Sequence, residues 1–303
     1  MRPLFSLLVV SAMMLAATVS YGQSFSFRVL ANKGENQVKR NGQTEALKTG
    51  SSLFSGDEIV AVEGAYIGLM HKTGKTYEVK QSGSYAVTEL ENKMNTGASS
   101  SASRYANYIM AKMNETEGSS NYRQNMAVTG AVERATSSSA IQVLLPNSID
   151  VYNPDAIVRW KEIEGAEGYT VTLKNIFDEV VMREETDKSM LKLDFNSDVL
   201  AKERLVILNV KVTGDDDITS GDYGIKRMAG ADAETVSNDI EALRAEVPED
   251  SPLSKLIEAS YYEDNNLLLD ALTKYEEAIT LAPEVQDFQD LYEGFIIKNN
   301  LGN

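Results

Sequence analysis

The sequence predicts a multidomain protein of the β plus α class, in which a small all-β domain and a β-sandwich precede a C-terminal α-helical repeat. Short apolar runs separated by turn-forming residues recur within residues 23–90 and again within residues 141–230, which is typical of β structure. In residues 231–303 the apolar spacing changes to the period of amphipathic helices. A length of 303 residues leaves room for several domains of ordinary size.

Residues 1–22 predict a secretory signal peptide. Arg2 supplies the positive start, an apolar run extends from Leu4 to Val19, and small residues precede Gln23, where the mature chain would begin. The alternative is a retained membrane anchor, but the run is shorter than the ~20 residues that a spanning helix needs. We therefore expect an exported protein, periplasmic or extracellular, with no stable membrane insertion after cleavage.

Residues 23–90 predict the small all-β domain. Turn signals separate its apolar runs at Lys33-Gly34, Asn41-Gly42, Gly56-Asp57, Glu63-Gly64, Thr73-Gly74 and Ser82-Gly83. Together with Val38, Leu47, Gly50, Leu53 and the run Ala65-Tyr66-Ile67-Gly68-Leu69, these residues resemble a FecR-type domain. The chain departs from that pattern at Lys72-Thr73-Gly74-Lys75, which replaces an Asp-Gly-Ser turn. The resemblance implies an all-β fold and specifies no ligand.

Residues 91–140 predict a single helix and a Ser-rich linker. Tyr105, Tyr108 and Ile109 stand at helical spacing, which predicts an amphipathic helix over residues 101–116. We expect its aromatic stripe to pack against the neighbouring sheet. A Ser-rich break at residues 136–139 marks the boundary to the next domain.

Residues 141–230 predict the β-sandwich, because seven short apolar runs separated by turns occur there: Ile141 to Leu145, Ile157 to Trp160, Tyr169 to Leu173, Glu179 to Met182, Met190 to Leu193, Leu205 to Val212 and Tyr223 to Lys226. Pro146, Trp160 and the run from Gly168 to Leu173 resemble a fibronectin type III or immunoglobulin-like domain. The resemblance implies that Trp160 packs in the core.

Residues 231–303 predict helices whose second half resembles a tetratricopeptide repeat. Ala271, Tyr275, Ala278 and Pro283 stand at the spacing of the second helix of such a repeat, with Tyr262 at the matching place in the helix before it. Glu258 departs from the pattern at a position that is normally apolar. Because repeat arrays need about three units to fold alone, we expect this end to lean on the sandwich or on a partner.

The resemblance also suggests where a protein partner would bind. Tyr261, Tyr262 and Asn265 would lie on or near the inner helix of the repeat, where such repeats bind partner peptides. If exposed, the two tyrosines are the best candidate for a binding surface, but simple packing is the favoured interpretation.

The composition excludes several kinds of site. The chain has no cysteine and one histidine, His71, so thiolate metal sites, histidine metal triads and cysteine nucleophiles are excluded. His71 follows a predicted strand without a nucleophile motif beside it, and we expect it to face solvent. A net charge of -16 opposes nucleic-acid binding. No catalytic residue, metal site or cofactor is predicted.

The acidic turn Asp215-Asp216-Asp217 to Gly221-Asp222 keeps one metal alternative open. Several carboxylates close together can bind calcium. Glycine stands at the seventh instead of the sixth position of the loop, and no glutamate closes it, so a solvated turn is favoured.

These observations lead to a non-enzymatic, exported envelope protein, acting as a binding or scaffold module through its FecR-like and tetratricopeptide-like parts. We expect the helical end to recruit a protein partner. Two alternatives come from other classes: a FecR-type signalling component, which needs a membrane span and a cytoplasmic segment, and a hydrolase of cell-wall glycans, which needs a pair of carboxylates.

Overall fold

The structure is a computed structural model that describes residues 24–94, 101–117, 140–247 and 250–302. It combines β-sheets with a C-terminal region of four helices, as the sequence predicts at this coarse level. The predicted signal peptide and the Ser-rich break at residues 136–139 lie outside the described residues. Within the described part of the chain, no helix is long and apolar enough to cross a membrane.

The first β region consists of two four-stranded sheets. Its strands are β1 (Phe27–Lys33), β2 (Gln37–Arg40), β3 (Gln43–Ala46), β4 (Ser52–Leu53), β5 (Glu58–Ala61), β6 (Tyr66–His71), β7 (Thr76–Val79) and β8 (Gly83–Ala86). The sheet orders are β4-β1-β6-β7 and β3-β2-β5-β8. Helix α1 (Val87–Lys93) adds Val87 and Leu90 to the apolar core that the two sheets share.

The turn between β2 and β3 shows how the local sequence determines this region. Asn41 and Gly42 both have positive φ, at 50° and 78°. A two-residue hairpin loop needs this conformation at both positions, and Asn-Gly is the pair that adopts it most readily. The predicted turn is therefore present, and it sets the register of β2 against β3.

The second β region has a five-stranded path and a separate pair of strands. Its elements are β9 (Ala140–Ile141), β10 (Ser148–Val151), β11 (Asp155–Arg159), β12 (Tyr169–Lys174), β13 (Val180–Thr186), β14 (Met190–Asp194), β15 (Leu205–Val212), β16 (Thr219–Ser220) and β17 (Tyr223–Arg227). The path is β10-β17-β15-β12-β13. Off this path, β16 pairs with β15 and β9 pairs with β16, and β11 pairs with β14 in a separate sheet. Buried Trp160 contacts Tyr169 edge to face, which confirms its predicted place in the core.

The helices are α2 (Ser101–Glu117), α3 (Ala231–Arg244), α4 (Pro252–Asp264), α5 (Leu268–Leu281) and α6 (Gln286–Lys298). Helix α2 agrees with the helix predicted over 101–116. Its aromatic residues, however, meet helices rather than mainly a sheet, so that expectation is wrong. Tyr105 packs edge to face on Tyr261 of α4, and the Tyr108 hydroxyl donates to Glu263 at 2.8 Å. The neighbouring helices provide these rings with an aromatic ring to pack on and with a carboxylate that accepts a hydrogen bond.

The helical layer packs against both β regions. Tyr66 of β6 meets Phe288 of α6 edge to face, with ring centroids 5.9 Å apart. Gly68 of β6 lies so close to α4 that a Cβ atom there would be 3.0 Å from Cδ1 of Leu253. On the other side, α5 packs against β10 and β11, and one apolar cluster joins the helices to both regions. The helical end therefore packs on both β regions, and its dependence on that contact for folding stays a prediction.

Candidate functional site

Tyr261 and Tyr262 are buried, with only 3% and 0% of their surface exposed. The Tyr261 ring packs edge to face between Tyr105 and Tyr262, and its hydroxyl donates to Asp239 at 3.2 Å. The Tyr262 hydroxyl donates to Asn153 of the sandwich at 3.3 Å. Burial raises the pKa of both phenols. The candidate binding surface is therefore not exposed at these two tyrosines, and simple packing, the favoured interpretation, describes them.

Asn265 is the exposed member of the predicted trio. It follows the last turn of α4, and its Nδ2 donates to the Tyr261 carbonyl at 2.8 Å, which caps the helix. The three residues do not form one exposed surface. A binding role for Asn265 stays a prediction.

His71 is buried, which corrects the expectation that it faces solvent. Its ring packs edge to face on Phe27, and Nδ1 lies 2.8 Å from the Thr73 hydroxyl. Burial and the neighbouring Lys72 lower the pKa of the imidazole, against the opposing carboxylate of Glu91. The His71 ring therefore packs between the turn from β6 to β7 and the core of the first β region.

The carboxylates of the acidic turn after β15 interact with groups close to them in the chain. The Asp216 carboxylate pairs with Lys211, and Asp215 Oδ1 accepts the Asp217 amide at 2.9 Å. Among the described residues, no three side chains of the metal-ligating types converge on one point. The solvated-turn interpretation fits these contacts, and the calcium alternative has no ligand set in the described part of the chain.

The polar face of α5 is a feature that our sequence interpretation missed. Asp270 accepts three hydrogen bonds from the segment that joins β10 to β11: from the Tyr152 amide at 3.0 Å, and from the amide and the Nδ2 of Asn153, each at 2.7 Å. One turn later, Thr273 Oγ1 accepts the Ile157 amide at 2.9 Å. These side chains supply acceptors to backbone N–H groups of the second β region, which buried backbone groups require.

Glu276 continues the same face. Its carboxylate forms a two-pronged ion pair with Arg159 at the end of β11, with Nη2 2.8 Å from Oε2. Burial opposes the charge on Arg159, but the Glu276 carboxylate raises the pKa of the guanidinium. Burial also raises the pKa of Asp270 to about 6, although its three donors favour the ionised form. We call Asp270, Thr273 and Glu276 the polar stripe. Their spacing of three residues along the helix was the available sequence signal.

The opposite end of the five-stranded path has a sheet edge without a helix or strand beside it in the described part of the chain. β13 ends the five-stranded path and pairs only with β12 there. Its residues Arg183, Glu184 and Glu185 are exposed. The edge strand β10, in contrast, packs against α5. We call residues 175–186 the open edge.

The hairpin tip at the start of the open edge carries exposed apolar side chains. Ile176, Phe177 and Val180 are 62%, 76% and 51% exposed. Asn175 orders this tip, because its Oδ1 accepts the amides of Phe177 and Glu179 at 2.9 and 3.1 Å. The open edge therefore combines an ordered apolar tip with a strand that is paired on one side only.

The far end of β13 leads to a shallow polar cleft of about 270 Å³. Charges of both signs line it, from Arg159, Glu162, Asp187 and Lys188. Arg159 already pairs with Glu276 of the polar stripe. The cleft thus extends the open edge with charged groups and contains no histidine or cysteine among its lining residues.

Comparison with known proteins yields no assignment. No family model matches the chain, and no curated protein matches it. The geometry of the open edge and of the polar stripe is therefore the basis for the function proposed below.

Proposed function

We propose that this chain is an exported, non-enzymatic protein of the cell envelope that acts as a binding scaffold, with the open edge as its binding surface. One observation carries the proposal: the fold covers one side of the sandwich with the polar stripe of α5 but leaves β13 and the apolar tip exposed. Sheet edges are usually covered or blunted, since they pair readily with other chains. Exposed apolar groups next to such an edge mark an interaction site.

The three family resemblances are compatible with this function, but the modules have different roles from those that the sequence suggests. The first β region supports a FecR-like module through its two four-stranded sheets, and the five-strand path with a separate β11-β14 pair supports a fibronectin-like one. Ala271, Tyr275 and Ala278 are buried in α5, as the tetratricopeptide resemblance implies. In this proposal the helical end joins the two β regions, and the sandwich, instead of the helices, binds the partner.

Site-specific photo-cross-linking in cells tests the binding surface. A photoreactive residue replaces Phe177 in the full chain with its signal segment, and the matched control replaces Leu281, an exposed apolar residue of the helical end. We expect one discrete protein adduct from position 177 and none from position 281. An adduct from position 281 alone, or from neither position, would overturn the assignment to the open edge.

Export has its own test. Cell fractionation followed by N-terminal sequencing should recover a chain that begins at Gln23 from the periplasm or the medium. A full-length chain that begins at Met1 and stays in the cytoplasm would contradict this part of the proposal.

A further inference from the structure

We infer that the open edge accepts an extended segment of a partner protein as an added β-strand, with a basic residue of that segment opposite Glu184. The inference rests on the proposed function and names the chemistry of the partner. Three features of the open edge carry it: the length of β13, the direction of its side chains and the order of its tip.

The backbone of β13 is long enough to pair with an added strand. Its seven residues span about 23 Å at the usual rise per residue. In an antiparallel pair, alternate residues direct their N–H and C=O groups away from the partner strand. Since β12 lies on one side, the alternate backbone groups of β13 point to the open side. Such a row of donors and acceptors is what strand addition uses.

The register with β12 shows which side chains of β13 face the interior. Tyr169, Val171 and Leu173 are buried and stand opposite Thr186, Glu184 and Met182. Directly opposite residues share a face of the sheet, so Glu184 lies on the interior face, yet it is exposed because no strand lies beyond it.

An inward-directed charge on an edge strand discourages indiscriminate pairing. An added strand would cover Glu184 and remove water from its carboxylate, which is unfavourable without a cation opposite. Glu184 therefore selects strands that carry lysine or arginine at that position and rejects apolar or acidic ones.

The tip supplies an anchor beside the strand. Phe177 is held in place by Asn175, whose Nδ2 also donates to the Glu179 carboxylate at 2.8 Å. Because the tip is ordered before binding, an apolar residue of the partner can contact Phe177 without the entropy cost of ordering a loop.

A second copy of the chain fits the open edge poorly. Antiparallel pairing about a two-fold axis at Arg183, Glu184 or Glu185 would place two like charges directly opposite each other, which is unfavourable. The net charge of -16 adds repulsion between copies. A basic segment of another protein has the complementary charge.

Binding of synthetic peptides to the mature full-length chain tests the inference. The probes are labelled peptides of alternating threonine and valine with either lysine or glutamate at the centre, followed by fluorescence anisotropy at low salt. We expect the lysine peptide to bind roughly fivefold more tightly than the glutamate peptide, which is the size of effect of a cross-strand charge pair. Methylation of alternate peptide amides should abolish binding, because it removes the backbone donors.

Two charge changes provide a matched comparison. Glu184→Lys should reverse the preference between the peptides, whereas Glu185→Lys, the same change on the other face of β13, should leave their order unchanged. Circular dichroism of both variants checks that each is folded. Equal effects of the two changes, or binding that survives amide methylation, would mean mere charge attraction and overturn the inference.

Two further outcomes would also overturn it. If neither peptide binds, strand addition is rejected. A discrete cross-link from position 177 would still support the proposed function in that case. The absence of both peptide binding and the cross-link would reject both proposals. Sedimentation that shows a dimer of the unmodified chain, lost in Glu184→Lys, would identify a second copy as the occupant.

Discussion

The second β region has two sides, and its sheet edges are covered on one side and open on the other. On one side, the polar stripe of α5 supplies acceptors to the Tyr152, Asn153 and Ile157 amides near β10 and β11. On the other side, β13 has a free edge in the described part of the chain, next to exposed Phe177. Covering one edge stabilises the contact between domains, whereas an uncovered edge keeps backbone groups available for another molecule.

Asp270→Asn should have the largest effect on the free energy of unfolding, and the size of that effect should depend on pH. The folded pKa of about 6 lies above the ordinary value of 3.8. The contribution of Asp270 to stability is therefore fully present below about pH 4 and is lost as pH rises through 6. A shift of this size corresponds to about 3 kcal/mol.

Urea unfolding at several pH values measures this effect. The stability of the wild type relative to Asp270→Asn should fall between pH 4 and pH 7. Asp264→Asn, at the exposed end of α4, is the matched control and should show no comparable trend. A difference that stays constant or grows with pH would contradict the prediction.

Arg159→Met should have the next largest effect. The substitution keeps the apolar stem but leaves the mostly buried Glu276 carboxylate without its ion-pair partner, at a cost of about 2 kcal/mol in the free energy of unfolding. Arg183→Met makes the same change at the exposed edge and should cost less than about 0.5 kcal/mol. Chemical denaturation of both variants checks the difference, and equal losses would show that α5 does not hold this side.

Thr273→Val should cost about 1 kcal/mol, because it removes the acceptor of the Ile157 amide while nearly preserving the side-chain volume. Thr280→Val, on the exposed face of the same helix, is the control. Amide hydrogen exchange should show faster exchange at Ile157 in the first variant alone. Unchanged exchange there would argue against the role of the stripe in covering β11.

Phe177→Ser should have the smallest effect on folding, less than about 0.5 kcal/mol, since the side chain packs against little of its own chain. Phe195→Ser, the same change at a buried position after β14, should cost at least about 3 kcal/mol. Thermal unfolding measures both. A large loss of stability in Phe177→Ser would mean that the tip belongs to the folded core and not to a binding surface.

Much of the secondary structure could be predicted from local sequence. The Asn41-Gly42 hairpin and the helix beginning at Ser101 follow from turn chemistry and from apolar spacing. Strands β10 and β16 were missed because they contain no continuous apolar run: Asp150 separates the two apolar residues of β10, and β16 has none. Such short strands exist because a neighbouring strand supplies hydrogen-bond partners, which the local pattern does not record.

The candidate site was harder to predict for the same reason. Tyr261 and Tyr262 have the residue types of an exposed binding surface, but Tyr105 of α2 and Asn153 of the sandwich cover them. Phe177, in contrast, stands in a turn between Asn175 and Asp178, and an apolar residue in such a turn is a signal that sequence reasoning could have used.

The sequence by itself determined the turns, the strand and helix periods, the absence of cysteine and the acidic charge, because each depends on neighbouring residues or on composition alone. Only the tertiary structure decided which edge of the second β region is covered. The hydrogen bonds from the polar stripe join residues 116 to 118 positions apart. Contacts at that distance depend on how whole elements pack, so a local pattern of residues contains no record of them.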